Sequence, residues 1–251
     1  MIYNFINENI GKRKFFALLI DPENYSHSAL VKTIIVADQS KVDFIFIGGS
    51  LVSNTLDKPI ETIKSLTDIP VLLFPGSLIQ ISGKADGILL MSLISGRNTE
   101  YLIGNHVVAA PIIKKLNLEV IPTGYILIGS GQRSAVEYMS QTNPIPAEKK
   151  EIVIATAMAG EMLGQKLIYL EGGSGVSIPV PEKVIRAVRE NISVPLIVGG
   201  GIKTEEDANK FYNAGADIVV VGNAIEKNID LIKKVSHACL NWGKNRERNN
   251  S

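Results

Sequence analysis

The chain has 251 residues, 45% of them hydrophobic, with 26 basic and 25 acidic side chains. A net charge of +1 gives no indication of a nucleic-acid partner, and the single cysteine, Cys239, excludes an internal disulfide and a cysteine-based metal cluster. No apolar run approaches the roughly 18 residues of a membrane span and the N-terminus lacks a signal-peptide pattern, so we expect a cytoplasmic protein.

Short apolar runs alternate with helical patterns from end to end, which is typical of βα units around a parallel sheet. Most runs are nearly continuous in Val, Ile, Leu and Phe, as expected for strands covered on both faces. We predict eight strands, at Phe15–Asp21, Asp43–Gly48, Pro70–Phe74, Gly87–Met91, Glu119–Pro122 or Thr123, Leu167–Glu171, Leu196–Gly199 and Ile218–Val221. Eight units in this length predict an α/β fold of the (β/α)8 (TIM) barrel type, as one domain over residues 1–251.

Amphipathic patterns with three-to-four spacing predict the helices between these strands. They are Ala29–Ala37, Tyr101–Lys115, Lys150–Leu163, Glu182–Glu190, Glu205–Asn213 and Leu231–Trp242. Thr204 and three acids start the fifth of these helices and Gly215 follows its end, so the start and stop signals agree. The polar residues 244–251 predict a frayed tail.

The third crossover is unusually short. Only residues 75–86 lie between the third and fourth predicted strands, which is about the minimum for a parallel connection and too short for a long packed helix. We therefore predict a shortened or missing third helix. One interpretation is a clipped helix covered by a loop, and the other is an apolar slot in the side of the barrel that would suit a hydrocarbon chain.

Catalytic groups of such barrels lie at the carboxyl ends of the strands. Reading those ends gives Asp21, Ser50, Pro75–Gly76, Ser92, Thr123, Glu171 with Ser174, Gly199–Gly201 and Gly222 with Asn223. Asp21 and Ser50 end neighbouring strands, and a carboxylate, a hydroxyl and diphosphate oxygens make a plausible Mg²⁺ site. The alternative is that Asp21 only caps the following turn. His27, His106 and His237 do not belong to this ring, and we expect surface or helix-packing roles for them.

Glycines follow the seventh and eighth predicted strands, at Gly199–Gly201 and Gly222. Bare backbone N–H groups next to a helix N-terminus suit a phosphate, and barrels commonly build such a site after these two strands. Tyr169 and Glu171 share one face of the sixth predicted strand, with Ser174 just beyond. Glu171 is the candidate general base toward a substrate hydroxyl, with a capping or salt-bridging role as the alternative.

Together, these motifs resemble the geranylgeranylglyceryl phosphate synthase family. The resemblance covers about Lys14 to Lys227, through the ordered motifs LLIDP, FIFIGGS, YLEGGSG, GGGIK and VVVGNAI. It implies a prenyltransferase on a modified barrel that joins a polyprenyl diphosphate to the C3 hydroxyl of sn-glycerol 1-phosphate, using Mg²⁺, in ether phospholipid synthesis. It also implies a prenyl channel where the third helix is missing, a homo-oligomer (dimer or hexamer), and at most transient membrane contact.

Carried over to this sequence, the resemblance assigns the metal to Asp21 and Ser50 and catalysis to Glu171. It assigns sn-glycerol 1-phosphate to Tyr169, Leu170, Glu171, Gly172, Gly173, Ser174, Gly175, Gly200, Gly201, Gly222 and Asn223. In two positions the chain differs from one branch of the family: Leu19 replaces a phosphate-binding lysine, and the YLEGGSG motif is one residue longer. Both features resemble the second branch, for which we expect a C20 donor.

Two other functions stay open at this stage. A phosphosugar isomerase or flavin-dependent barrel would share the phosphate site, but an isomerase of the two-acid type needs a second acid at the fifth strand end, where Thr123 is predicted. A non-catalytic phosphoester-binding barrel is the third possibility, and the carboxylate of Asp21 opposite the phosphate site argues against it.

Overall fold

The computed structural model describes residues 1–129, 131, 134–176 and 178–249. Within these ranges, nine strands form one parallel sheet: β1 Phe15–Ile20, β2 Phe44–Ile47, β3 Val71–Leu73, β4 Gly87–Leu93, β5 Glu119–Gly129, β6 Ile145–Pro146, β7 Leu167–Glu171, β8 Leu196–Gly199 and β9 Ile218–Val221. Eight strands close into a barrel because β9 pairs with β1 and β5 joins β4 to β7. The two-residue β6 pairs with the end of β5. The predicted (β/α)8 barrel is confirmed.

Ten α-helices lie within the described part of the chain: α1 Ile2–Glu8, α2 His27–Gln39, α3 Asp57–Lys64, α4 Asn105–Leu116, α5 Ala135–Ser140, α6 Lys150–Met162, α7 Glu182–Arg189, α8 Glu205–Ala214, α9 Asn223–Lys227 and α10 Leu231–Asn249. A π-helical turn at Glu100–Gly104 leads into α4. Four short helices, α1, α3, α5 and α9, were not predicted, since an amphipathic period is hard to recognise in five to eight residues.

Side chains of the strands alternate between two cores. Phe15, Phe44 and Tyr169 belong to the cluster inside the barrel, whereas Phe16, Ile45 and similar neighbours pack outward under the helices. Helix α1 covers the end of the barrel where the strands begin, with Ile6 only 1% exposed in the inner cluster. The opposite end, at the carboxyl ends of the strands, is therefore the one that can hold a site.

The third crossover agrees with its prediction. Among the described residues between β3 and β4, the helical structure is limited to a 3-10 turn at Leu78–Gln80. The buried Gln80 holds this segment against the end of β2, because its amide accepts from Gly49 N at 3.1 Å and donates to Gly49 O at 2.7 Å. The side of the barrel at β3 and β4 thus lacks an α-helix of its own.

The C-terminal helix is longer than predicted. Helix α10 continues from Leu231 to Asn249, beyond the expected end at Trp242, since Lys, Arg, Glu and Asn can extend a helix without an apolar face. Fraying of this tail stays a prediction, and residues 250 and 251 lie outside the described ones. Cys239 is buried on α10, and burial raises the pKa of its thiol to about 12, as expected of a structural cysteine.

Candidate functional site

A polar pocket opens at the carboxyl ends of the barrel strands. Its lining includes most of the residues that the sequence analysis assigned to the metal and to the phosphoester: Asp21, Ser50, Tyr169, Glu171, Ser174, Gly175, Gly200, Gly201, Gly222 and Asn223. Asp21 follows β1 and Gly200 follows β8, so the proposed metal and phosphate ends share one mouth. Their individual roles stay predictions.

Three of the predicted site residues lie outside this lining. The side chain of Leu170 is fully buried in the outer core, because it alternates with Tyr169 and Glu171 on β7. The N–H of Gly172 donates to Gly199 O at 3.0 Å, and the N–H of Gly173 donates to Glu171 Oε1 at 2.6 Å. These two glycines therefore shape the turn after β7, and their amides are already engaged within the protein.

Glu171 is the buried carboxylate of the pocket, with 7% of its surface exposed. Burial raises its pKa, and the hydrogen bond from Gly173 N together with the phenols of Tyr169 and Tyr125 lowers it in part. Among the described residues, the Tyr169 hydroxyl has no hydrogen-bond partner, and it acts on Glu171 as a nearby dipole. A carboxylate with a raised pKa in a substrate-sized pocket is suited to accept a proton.

An aromatic wall stands beside Glu171. The ring centroids of Tyr125 and Tyr169 are 5.0 Å apart in an edge-to-face arrangement, and the ring of Phe74 lies 6.0 Å from Tyr125 and 5.6 Å from Tyr169. Such pairs hold each other's orientation at the base of the pocket.

The predicted end of the fifth strand was wrong. The fifth strand does not end at Thr123, which is fully buried and donates to Ile121 O at 3.0 Å; β5 continues to Gly129. Pro122, the other predicted end residue, also lies within the strand, where its carbonyl accepts from Lys166 N at 2.8 Å. The apolar run after Thr123 was the signal for a longer strand. The group that β5 brings to the pocket is thus Tyr125. Like Thr123, it is not the second acid that a two-acid isomerase would need.

The end of the pocket at which a metal was predicted, at Asp21 and Ser50, is acidic. Burial raises the pKa of Asp21, a hydrogen bond from Glu23 N opposes this effect, and the charge of Glu23 raises the pKa further. Burial likewise raises the pKa of Glu226, with a contribution from the charge of Asp21. Asp21 does cap the turn at Pro22–Asn24 through Oδ1, at 3.2 Å from Glu23 N, while Oδ2 lies toward Gly49. The capping role and a metal role are therefore compatible.

The residues at this end fit a hard cation with few protein ligands. Among the described residues, no group of three His, Cys, Asp or Glu side chains is close enough to hold a metal. A cation at Asp21 and Ser50 would take its other ligands from water and phosphate oxygens, which is the usual coordination of Mg²⁺. A positive ion would also relieve the repulsion between Asp21 and Glu226.

The glycine-rich ends of β8 and β9 suit a phosphate. Gly200 and Gly201 have φ values of +88° and +79°, which favour glycine and present backbone amides. Ser174 Oγ and Asn223 Oδ1 lie 2.8 Å apart, which ties the turn after β7 to the start of α9. The exposed Lys203 and Lys227 also line this pocket and add positive charge. The sequence analysis missed both lysines, although Lys203 lies in the quoted GGGIK motif.

An apolar groove joins the polar pocket on the metal side. Ser50, Phe74 and Tyr125 line both cavities. From there the groove runs between the third crossover and α4, past Leu78, Ile88, Leu90, Ala109 and Ile113. His106, expected to pack on its helix, lies in the groove wall with Nε2 3.2 Å from Ser92 Oγ. Of the two interpretations of the short crossover, the structure has the apolar slot.

Comparison with known proteins agrees with this geometry. The sequence profile of the PcrB family matches residues 8–239. The chain belongs to the PcrB family. It is 50% identical to a geranylgeranylglyceryl phosphate synthase of Chitinophaga pinensis over 94% of this chain and 95% of that protein. It is 42% identical to a protein of the same name from Pyrococcus horikoshii, over 90% of this chain and 89% of that protein.

A solved structure of the family superimposes closely on this PcrB-family chain. It is the (S)-3-O-geranylgeranylglyceryl phosphate synthase of Thermoplasma acidophilum, crystallised with sn-glycerol-1-phosphate. The TM-score is 0.90 at 32% identity, over 95% of this chain and 98% of that one. The likeness therefore extends over the whole barrel, including the strand ends that form the polar pocket.

Proposed function

We propose that this protein is a prenyltransferase that joins a polyprenyl diphosphate to sn-glycerol 1-phosphate through an ether bond, as a step of ether phospholipid synthesis. The observation that carries the proposal is one continuous cavity with three parts. Asp21 and Ser50 lie between a glycine-rich end that suits a phosphate and an apolar groove that suits a hydrocarbon chain. The names of the relatives support the same reaction.

The acceptor would bind at the ends of β8 and β9 and at the turn after β7. Gly200, Gly201, Gly222 and Asn223 would hold its phosphate, with Lys203 and Lys227 adding charge. The Tyr169–Gly175 turn would hold its glycerol hydroxyls. This arrangement places the C3 hydroxyl next to Glu171, which is the buried carboxylate within reach of a substrate in this part of the pocket.

The transfer itself requires one proton acceptor and a stabilised leaving group. The C3 oxygen forms a bond to C1 of the prenyl group, the bond from C1 to the diphosphate oxygen breaks, and the hydroxyl proton passes to Glu171 Oε2 or Oε1. Phe74, Tyr125 and Tyr169 exclude water from the reacting carbon, which would otherwise be hydrolysed. Most of the rate gain then comes from holding the two reactants in line.

Mg²⁺ is the cofactor that we propose for the acidic end. Asp21 and Ser50 would hold it, and when bound it neutralises the charge of the departing diphosphate. The chain itself supplies no cation at position 19, where Leu19 lines the pocket. This lack of a lysine makes the donor site depend more strongly on the metal.

The donor is proposed to be geranylgeranyl diphosphate, and the protein to be a cytoplasmic homo-oligomer. The relatives' names support the C20 chain. Exposed apolar side chains support a subunit contact or a brief contact with membrane lipid: Tyr138 is 78%, Met162 79% and Leu163 80% exposed. Within the described residues, no helix is long and apolar enough to span a bilayer.

The test is a transfer assay with defined donors and acceptors. Purified protein, Mg²⁺ and labelled sn-glycerol 1-phosphate are incubated with prenyl diphosphates of C10 to C35, and label is counted in the organic phase. We expect transfer with a preference near C20 and little transfer to sn-glycerol 3-phosphate. Binding of glycerol phosphate without transfer from any donor would instead support a non-catalytic barrel, and a yellow protein would support a flavin enzyme.

A further inference from the structure

Tyr125 occupies the boundary between the polar pocket and the apolar groove. It lines both cavities and is only 5% exposed. On β5 it lies directly opposite Tyr169 of β7 in the strand register, while Leu127 lies opposite Glu171. Since side chains two residues apart point to the same face, Tyr125, Tyr169 and Glu171 all face the interior of the barrel mouth.

The ring of Tyr125 is fixed on two sides. Its centroid lies 5.0 Å from Tyr169 and 6.0 Å from Phe74, with interplanar angles of 71° and 66°. A phenol fixed in this way can direct its hydroxyl without losing much side-chain entropy. Glu171 lines the same polar pocket, and its Oε1 accepts from Gly173 N at 2.6 Å. The nearby phenol of Tyr125 lowers the pKa of this carboxyl group.

We propose that Tyr125 is a positioning residue for the transfer reaction, and that its phenol holds the Glu171 carboxylate toward the acceptor hydroxyl. This inference rests on the proposed function. Gly173 N fixes Oε1 from the turn after β7, and Tyr125 reaches the carboxylate from β5. With donors from two elements, the carboxylate has a defined rotamer before the acceptor arrives.

Few other groups can act on Glu171. Tyr169 faces it from the same strand, and β8 brings Gly199 and Gly200, which carry no titratable side chain. In the described part of the pocket lining, the other ionisable residues are Asp21, Lys203, Glu226 and Lys227. Loss of the Tyr125 hydroxyl therefore removes one of the two phenols that favour the charged form of Glu171, and the ionised carboxylate becomes harder to form.

The first test measures the Glu171 carboxyl without any substrate. Infrared difference spectra are recorded against pH for the wild-type protein, Tyr125→Phe and Glu171→Gln, the last of which identifies the Glu171 band. We expect the Glu171 midpoint to move up by about one pH unit in Tyr125→Phe. An unchanged midpoint overturns the inference, whether or not the protein is a transferase.

The second test separates positioning from a structural effect. In Tyr125→Phe, the acid limb of the profile of kcat against pH should move to higher pH by the same amount as the Glu171 midpoint. At pH values below this limb, kcat should be about tenfold lower than in the wild-type protein, and at higher pH it should recover. The KM for the acceptor should change much less. Equal loss at every pH would indicate a structural role and would overturn the inference.

Tyr212→Phe is the matched control. Tyr212 is another buried phenol, but its hydroxyl donates to Phe15 O at 3.0 Å at the other end of the barrel. Tyr212→Phe should lose stability without moving the Glu171 midpoint or the acid limb.

If Tyr125→Phe does not fold, 3-fluorotyrosine at position 125 is the second variant. Its hydroxyl is a stronger donor, so the Glu171 midpoint should move down. If the wild-type protein is inactive, the proposed function is overturned, and so is the role of Tyr125 in transfer. If the protein is active but the Glu171 midpoint does not shift in the variant, only the inference about Tyr125 is overturned.

Discussion

Glu171 Oε1 accepts a 2.6 Å hydrogen bond from the backbone N–H of Gly173, two residues further along the chain. The turn after β7 thus fixes one oxygen of the only carboxylate that this strand brings to the pocket, while burial makes the charged form unfavourable. A fixed carboxylate with a raised pKa is costly for the fold and useful for accepting a proton.

Glu171→Gln should lose about 100-fold or more in kcat, the range for removal of a general base. The fold should survive, because the amide oxygen can still accept from Gly173 N. The measurement is transfer of labelled sn-glycerol 1-phosphate, with circular dichroism as the check of folding. Glu182→Gln, at the start of α7 outside the pocket lining, is the control and should keep the wild-type rate. Wild-type turnover in Glu171→Gln would contradict the assignment of the base.

The same residue predicts how stability depends on pH. A carboxyl group whose pKa is raised in the folded state stabilises the fold below its unfolded pKa of about 4.3, and this contribution is lost as the pH rises through the folded pKa. Glu171→Gln removes this effect. In thermal melts between pH 4 and pH 8, the Tm of the variant should therefore rise relative to the Tm of the wild-type protein as the pH increases. A constant difference in Tm would contradict the raised pKa.

Asp21→Asn should weaken the response to Mg²⁺ and the binding of prenyl diphosphate by about tenfold or more, because a neutral amide is a poor ligand for a hard cation. Acceptor binding should stay within about twofold, because the residues proposed to hold the acceptor lie at the ends of β7, β8 and β9 and do not include Asp21. The turn at Pro22–Asn24 should persist, because Asn can accept from Glu23 N as Asp21 does. Calorimetric titration with each ligand separates the two effects.

Asp68→Asn is the control for the loss of a carboxylate, because Asp68 is exposed and lies outside the polar pocket. It should bind Mg²⁺ and both substrates like the wild-type protein. Equal loss of donor and acceptor binding in Asp21→Asn would contradict a separate metal end.

Ala109→Phe should shorten the donor that the enzyme accepts. Ala109 is 4% exposed and its side chain borders the apolar groove, so a phenyl ring would fill the space. We expect kcat/KM to fall about tenfold or more for the C20 donor relative to C10, with the acceptor KM unchanged. Overpacking can cost about 1–3 kcal/mol, so melts accompany the kinetics.

Val108→Phe is the matched control on the same helix. Val108 is 56% exposed and faces away from the groove lining, so the donor preference should not change. If both variants shift the preference equally, the groove does not set donor length.

The strands were predictable because their signal is local and strong. Continuous apolar runs ending in Gly, Ser or Asp located all eight barrel strands, and the barrel rule then placed Asp21, Glu171 and Gly200 at one mouth. The short third crossover could be counted from the sequence, and it led to the groove. These features depend on composition and spacing alone.

The features that the sequence did not reveal depend on tertiary contacts. Pro122 was interpreted as a strand end, but its carbonyl is used by Lys166 N and the strand continues, which brings Tyr125 to the pocket. Helix α1 is too short to recognise, and its place is decided by Ile6 packing under the barrel. The engagement of Gly173 N by Glu171 is equally invisible in a sequence, because any glycine in the motif could have made it.

Gly200→Ala tests whether the glycine end is shaped for the acceptor. Gly200 has a φ of +88°, and an added Cβ would lie 2.7 Å from Glu171 Oε1 and 2.9 Å from the backbone of Gly173. The methyl group must therefore displace the carboxylate or the turn. We expect the KM for sn-glycerol 1-phosphate to rise about tenfold or more, with kcat reduced as well, in steady-state assays that vary the acceptor.

The control for this variant is Gly164→Ala, which separates backbone strain from the contact. Gly164 has a similar φ of +91°, but an added Cβ would meet no atom within 4 Å. Gly164→Ala should cost about 1–2 kcal/mol in unfolding free energy, because a side chain is unfavourable in the left-handed region. Gly200→Ala should cost at least as much, because its methyl group also meets Glu171 and Gly173. Only Gly200→Ala should affect the acceptor, since only its Cβ reaches Glu171. If the two variants lose acceptor binding equally, or if Gly200→Ala binds it normally, the region around Gly200 and Glu171 does not hold the glycerol phosphate.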